Sequence, residues 1–216
     1  AYLLDRFTLA MVPSGTVLTY LEKKTSTGGP VVVLANPDLD DPRLDLRHAE
    51  REGTSIRARR QDVVLLTRKL ATEARLREWA PKARALHLAA HATLDVQRPL
   101  ESAVLLAPGD GQDGRLTAGE VFGLRVPGSL VVLSACETGL GPVATGDELI
   151  GLTRAFMYAG APHIVATLWR VDDAATAALM VEFYDRMSAL PVPEALRQAQ
   201  QSIRSRYPHP FFWASF

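Results

Sequence analysis

Short apolar runs alternate with stretches of helical periodicity along most of the chain, and this alternation constrains the fold more than any other feature. The clearest run, Leu130–Leu133, follows Pro127 and Gly128 and is succeeded by small residues. Such a short, fully apolar run is typical of a strand that is buried on both faces of a parallel sheet. Comparable runs predict further strands over residues 31–35, 63–66, 85–91, 103–107 and 163–168.

Segments with apolar residues at helical spacing lie between these strands. Thr72 stands where an N-cap is expected, and Glu120 follows Thr117 by three residues, as in a capping box. The predicted helices cover residues 16–24, 44–60, 72–79, 117–122, 147–158, 173–187 and 193–206. The alternation predicts an α/β protein, in which a mainly parallel sheet carries helices on both faces as an α/β/α sandwich. The run 103–107 is the exception, because it follows 85–91 too closely for a helical crossover.

Composition limits the classes of function. The 216 residues are 47% hydrophobic, which suits a single domain over residues 1–216. The 24 basic and 24 acidic side chains cancel, so we expect neither a nucleic-acid partner nor a membrane partner. One cysteine cannot form an internal disulfide, so we expect a reducing, cytoplasmic setting. Because the chain starts at Ala1 rather than at methionine, we expect it to be the C-terminal part of a longer protein.

The single cysteine, Cys136, follows the run Leu130–Leu133 closely. Ligands of open α/β sheets bind at the carboxyl ends of the strands, so a thiol at this place is a candidate nucleophile. A lone cysteine at a strand end is also often a small buried hydrophobic residue, and the pattern by itself leaves that alternative open.

Two phosphate-binding motifs do not fit the residues around this cysteine. Gly141 and Gly146 have the spacing of a phosphate-binding loop, but Asp147 follows where that motif requires lysine. A cysteine phosphatase needs an arginine six residues after its thiol, and Pro142 occupies that position. We therefore expect no nucleotide or phosphate chemistry here.

His91 is the best candidate for a base that activates Cys136. It ends its own predicted strand, so two neighbouring parallel strands of equal reach would bring both side chains to one edge of the sheet. His87 precedes His91 by four residues, but on a strand these residues are ~13 Å apart and cannot share one metal ion. We expect no metal site and no cofactor, and we expect His87 to be structural.

Several stretches closely resemble the CHAT domain, a caspase-like family that is related in fold to separases and metacaspases. The stretches with the most specific residues are Leu86-His-Leu-Ala-Ala-His91, Leu133-Ser-Ala-Cys-Glu-Thr-Gly-Leu-Gly141, Gly146-Asp-Glu-Leu149 and Thr167-Leu-Trp-Arg-Val-Asp172. Asn36-Pro37, Ala195-Leu-Arg-Gln-Ala199 and His209-Pro-Phe-Phe-Trp-Ala214 also match. The resemblance covers nearly the whole chain.

The resemblance implies a cysteine endopeptidase that acts on a protein or peptide through a thioester acyl-enzyme. Cys136 would be the nucleophile, and His91 would be the general base and acid. The backbone N–H groups of Cys136 and Ala92 would hold the oxyanion. The family usually has glycine where this chain has Ala92, and an alanine there is strained if the position requires positive φ.

Charged residues after the last predicted strand bear on substrate preference. A pocket that prefers a cation needs a carboxylate near the catalytic pair, and Asp172 or Asp173 is placed to line it, beside Trp169. The alternative for Asp173 is the N-cap of the next helix. Trp169 fits a core residue or a pocket wall better than part of a cofactor site. A peptide panel without preference for lysine or arginine would contradict the pocket hypothesis.

The resemblance also implies a partner region. CHAT domains are often attached to helical repeats, especially tetratricopeptide repeats, and we expect such a sensor region or a regulatory protein to keep the peptidase latent until activation. Two other functions stay open. One is an interaction module that has lost its activity, which Ala92 favours. The other is a hydrolase or transferase of small acyl substrates, which the long helical segment 188–206 disfavours.

Overall fold

The computed structural model describes residues 2–21, 23–24, 28–95, 97–134, 149–169 and 173–216. Five parallel strands form its central sheet, and their bounds are β1 Val31–Pro37, β2 Val63–Arg68, β3 Ala85–Ala89, β7 Leu130–Leu133 and β8 His163–Ala166. Their order across the sheet is β2-β1-β3-β7-β8, and every neighbouring pair is parallel. The mainly parallel sheet that the alternation predicts is therefore confirmed.

A second, smaller sheet is antiparallel and has the order β4-β5-β6, with β4 Ala92–Thr93, β5 Ala103–Leu105 and β6 Arg115–Thr117. The predicted run 103–107, which follows the preceding strand too closely for a helical crossover, supplies β5 of this sheet. Ala103 pairs with Thr93 and with Thr117, so the chain turns back on itself here instead of rejoining the central sheet.

Helices cover both faces of the central sheet, and their bounds are α1 Gly15–Leu21, α2 Arg47–Arg59, α3 Glu73–Trp79, α4 Ala118–Val121, α5 Leu149–Ala159, α6 Asp173–Arg186 and α7 Val192–Ile203. Alternate strand residues face opposite ways, as Val32 and Leu34 join one core while Val31 and Val33 join the other. We call these the first and the second core. The first core contains residues of α3, α4 and α5, and the second contains residues of α2, α6 and α7. The predicted sandwich is confirmed.

Two helix starts were predicted from capping residues, and both are confirmed. The side chain of Thr72 accepts a hydrogen bond from the Arg75 N–H at 3.3 Å, and Glu73 begins α3. Thr117 and Glu120 form the reciprocal bonds of a capping box at α4.

Several element ends differ from the sequence prediction, and two of these differences matter for the site. The helix predicted from residue 44 begins at Arg47, because Pro42–Leu44 forms a 3₁₀ turn capped by Asp41. The strand predicted to reach His91 ends at Ala89, and Ala92 already belongs to the antiparallel sheet. His91 therefore lies in the junction between the two sheets.

Candidate active site

His91 is held in one tautomer by a backbone carbonyl. The side chain is buried, and its Nε2 lies 2.8 Å from the Leu44 carbonyl oxygen. A carbonyl only accepts hydrogen bonds, so Nε2 carries the proton and the lone pair of the neutral ring is on Nδ1. Nδ1 is buried and has no hydrogen-bond partner in the described part of the chain. His91 thus has an unused basic nitrogen.

Burial lowers the pKa of His91 below its ordinary value of 6.5, while the hydrogen bond to Leu44 opposes that shift to a smaller extent. The ring is therefore neutral at neutral pH, which is the state that can accept a proton. A base with these properties suits the activation of a thiol.

The segment that carries the Leu44 carbonyl is fixed by Asn36, at the carboxyl end of β1. Asn36 is buried and has φ 50°, a conformation that asparagine tolerates better than most residues. Its side-chain oxygen accepts from the Leu46 N–H at 2.7 Å, and its nitrogen donates to Asp45 and Glu50 at 2.9 Å each. The sequence matched Asn36 to a family motif, but it gave no signal for the hydrogen bond between Leu44 and His91, because every residue carries the same carbonyl.

Ala92 has an ordinary strand backbone. It is absent from the described non-glycine residues with positive φ, so the strain expected if this position required positive φ is not found. Ala92 faces Val104, and the Leu105 N–H donates to the His91 carbonyl at 2.8 Å. That bond makes Ala92 and Val104 a non-hydrogen-bonded pair, in which the Ala92 N–H points away from β5. The N–H is therefore outside the ladder between β4 and β5.

The strands that lead to His91 and to Cys136 are neighbours. β3 and β7 are parallel, and Leu88 pairs with Leu133, an offset of 45 residues (133 − 88). His91 and Cys136 are separated in sequence by the same 45 residues (136 − 91). Cys136 itself lies outside the described residues, so its side chain and its backbone N–H have no structural account here.

The candidate substrate residues are only partly described. Asp172 lies outside the described residues, and Asp173 is the first residue of α6, although its side chain is not described. Trp169 is partly exposed beyond β8, and its indole N–H donates to the Phe211 carbonyl at 3.0 Å. That contact anchors Trp169 at the surface next to the C-terminal segment.

No group of three or more acidic, histidine or cysteine side chains in the described part of the chain is placed to hold a metal ion. None of the helices within the described ranges is long and apolar enough to cross a bilayer.

Chains in two solved complexes have a similar fold. The fold is similar to a chain in the complex of Porphyromonas gingivalis RgpB pro- and mature domains, with a TM-score of 0.57, 12% identity, and coverage of 91% of this chain and 48% of that chain. It is also similar to a chain of the Saccharomyces cerevisiae separase–securin complex, with a TM-score of 0.55, 14% identity, and coverage of 89% and 12%. At these identities the likeness concerns the fold.

Sequence relatives are much longer proteins. Tetratricopeptide repeat protein 28 of Homo sapiens is 27% identical over 271 residues, which covers 100% of this chain and 11% of that protein. The Mus musculus protein of the same name is 38% identical over 104 residues, or 47% of this chain and 4% of that protein. The chain thus spans a small part of these relatives. The CHAT domain model matches residues 1–216. The chain, with its parallel sheet and the buried histidine at the sheet junction, therefore belongs to the CHAT domain family.

Proposed function

We propose that this domain is a caspase-like cysteine endopeptidase with His91 and Cys136 as its catalytic pair. The observation that supports the proposal best is the hydrogen bond from His91 Nε2 to the Leu44 carbonyl, which leaves a buried Nδ1 with a free lone pair. Further support comes from the strand register. Paired residues of β3 and β7 are 45 positions apart in sequence, and so are His91 and Cys136.

In the proposed reaction His91 Nδ1 takes the thiol proton of Cys136, and the thiolate attacks the carbonyl carbon of a peptide bond. The tetrahedral oxyanion accepts hydrogen bonds from the N–H groups of Ala92 and Cys136. The C–N bond then breaks, His91 gives its proton to the leaving amine, and a thioester remains. Water attacks the thioester with His91 as base, which releases the acid and restores the thiol.

The preference for lysine or arginine before the cleaved bond, through Asp172 or Asp173, stays a prediction. So does control of the peptidase by an attached tetratricopeptide region, which the repeat-protein relatives make reasonable. The alternative of an inactive interaction module was favoured by strain at Ala92, and the strand backbone of Ala92 removes that reason.

The single cysteine allows a direct test. We expect iodoacetamide to label the native protein rapidly at pH 6, and we expect labelling to be roughly 10- to 100-fold slower in His91→Ala, because an ordinary thiol has a pKa of about 8.5. Peptides with lysine or arginine before the bond should be cleaved by the native protein and left intact by Cys136→Ser.

Cys136→Ser is also the labelling control, since it removes the only thiol. Equal labelling rates in the native protein and in His91→Ala would contradict the proposed pair. They would favour the interaction module instead.

A further inference from the structure

A buried polar network crosses the second core under the central strands. It joins four side chains from four parts of the fold: Glu52 of α2, His87 of β3, Tyr184 of α6, and Ser134, which follows β7. Glu52, His87 and Tyr184 are buried, and Ser134 is partly buried. None of these residues belongs to the proposed catalytic pair.

The carboxylate of Glu52 is the centre of this network. Its Oε1 lies 3.1 Å from His87 Nε2, and its Oε2 accepts a hydrogen bond from Ser134 Oγ at 3.2 Å. The other ring nitrogen of His87, Nδ1, lies 3.1 Å from the Tyr184 hydroxyl. Neither Oε1 nor His87 Nε2 has a hydrogen-bond partner in the described part of the chain, so their contact is within ion-pair distance but lacks the alignment of a hydrogen bond.

Two contacts of the network are hydrogen bonds, one between Tyr184 and His87 and one between Ser134 and Glu52. Burial raises the pKa of Tyr184, and the Glu52 carboxylate adds to that effect, so the phenol keeps its proton and can donate it to His87 Nδ1. When His87 accepts this bond at Nδ1, its own proton is on Nε2, the nitrogen next to Glu52. Ser134 donates to the second carboxylate oxygen. The network therefore orders Ser134 from the interior of the protein.

A role confined to stability does not account well for this arrangement. A buried charge is costly, and replacing a buried ionic group by apolar residues is often neutral or stabilising. The strand positions that neighbour His87 on the same face, Ala85 and Ala89, belong to the apolar second core. The network ends at Ser134, which precedes the only thiol of the chain by two residues.

Helix α2 also connects this network to the catalytic histidine. Glu52 lies on α2, and Leu44, whose carbonyl holds His91, is in the turn just before that helix. One helix thereby contacts Ser134, two residues before the nucleophile, and directly follows the segment that fixes the base.

We propose that Glu52, supported by His87 and Tyr184, is a positioning residue for the nucleophile, acting through Ser134. This proposal rests on the proposed function of Cys136 and His91. Glu52 fixes the end of β7, from which the chain runs on to Cys136, and so sets the approach of the thiol to its base.

Ser134→Ala tests the proposal by cutting only the last contact, because Glu52, His87 and Tyr184 remain. We expect iodoacetamide labelling of Cys136 at pH 6 to slow by about tenfold, which corresponds to the loss of one hydrogen bond to a charged group. Ser134→Thr keeps the hydroxyl and should restore most of the rate. Where peptide cleavage is measured, kcat should fall with little change in KM.

Ser129→Ala is the matched control, at the other end of the same strand. Its hydroxyl donates to the Ala83 carbonyl and is buried, so its removal lowers stability without touching the network. We expect Ser129→Ala to label at the native rate. Thermal unfolding followed by circular dichroism shows that each variant is folded at the labelling temperature.

The outcomes separate this proposal from the proposed function. If His91→Ala slows labelling and Ser134→Ala does not, the positioning role is wrong while the catalytic pair stands. Equal slowing in Ser129→Ala, or no recovery in Ser134→Thr, also overturns the positioning role. If His91→Ala labels at the native rate, the catalytic pair fails and the positioning role fails with it.

Discussion

At the scale of single residues, the side chain of His91 is buried, and only one of its two ring nitrogens has a hydrogen-bond partner among the described residues. Its pKa is below 6.5 in the folded protein, chiefly because burial disfavours the charged ring. The unfolded chain has the ordinary value of about 6.5. Between these two pKa values the unfolded state binds a proton that the folded state does not, so the free energy of unfolding decreases as pH falls below 6.5.

This linkage predicts a difference between the native protein and His91→Gln. Glutamine can donate a hydrogen bond to the Leu44 carbonyl but cannot titrate. Residue 91 should then no longer contribute to the decrease in the free energy of unfolding at acid pH. Urea unfolding at pH 7.5 and pH 5 measures it. We expect the free energy of unfolding of His91→Gln to decrease less between these pH values than that of the native protein. An equal decrease in both proteins would show that His91 has the same pKa folded and unfolded.

Sequence reasoning found some of these residues and missed others for identifiable reasons. His91 was predicted from its place at a strand end. The Glu52 contact with His87 was not predicted, yet Glu52 stands three residues after Ala49 and four before Ile56, on the apolar side of α2. A carboxylate on that side was a readable signal. The Leu44 carbonyl had no signal, since its role depends on a turn and not on a side chain.

At the scale of elements, α2 packs on the sheet through Gly53. A Cβ at this position would lie 2.8 Å from Leu65 Cδ1, 3.1 Å from Val33 Cγ1 and 3.2 Å from Ala35 Cβ. The backbone of α2 therefore approaches β1 and β2 more closely than any side chain would allow. The glycine sets the depth of the helix that carries Glu52.

Gly53→Ala should consequently destabilise the protein, although alanine favours helix by about 1 kcal/mol over glycine. Overpacking costs about 1–3 kcal/mol, so we expect a net loss of roughly 1 kcal/mol in the free energy of unfolding, measured by urea titration. The control is Gly15→Ala in α1, where nothing lies within 4 Å of the new Cβ and no loss is expected. A Gly53→Ala variant as stable as the native protein would mean that α2 moves outward at no cost.

Element types were easier to predict than element ends. β1 and β7 contain short apolar runs, and burial on both faces leaves few other structures for them. The start of α2 was placed too early, because Leu44 continues the apolar pattern while Pro42 favours a tight turn. The end of β3 was placed too late, because Ala90 and His91 are buried without being part of the ladder.

At the scale of the whole molecule, one sheet supports two apolar cores. Residues of the central-sheet strands belong alternately to the first and the second core, because successive side chains of a strand point to opposite faces of the sheet. The α/β/α sandwich was predictable because parallel strands need helical crossovers that bury both faces. For the antiparallel sheet that carries Ala92, the sequence contains one indication only: the run 103–107 follows the preceding strand too closely for a helical crossover.

The shared sheet predicts that both cores unfold in a single transition, and two tryptophans on opposite faces allow a test. Trp79 packs against the first core, and Trp213 is buried in the second. One test variant keeps only Trp79 and carries Trp169→Phe and Trp213→Phe. The other keeps only Trp213 and carries Trp79→Phe and Trp169→Phe. In each variant the fluorescence midpoint in urea should coincide with the midpoint from far-ultraviolet circular dichroism, because loss of either core exposes the strands of both. Comparison within each variant removes the effect of the substitutions on stability. A fluorescence transition that precedes the circular dichroism transition in one variant only would show that one face opens independently of the sheet.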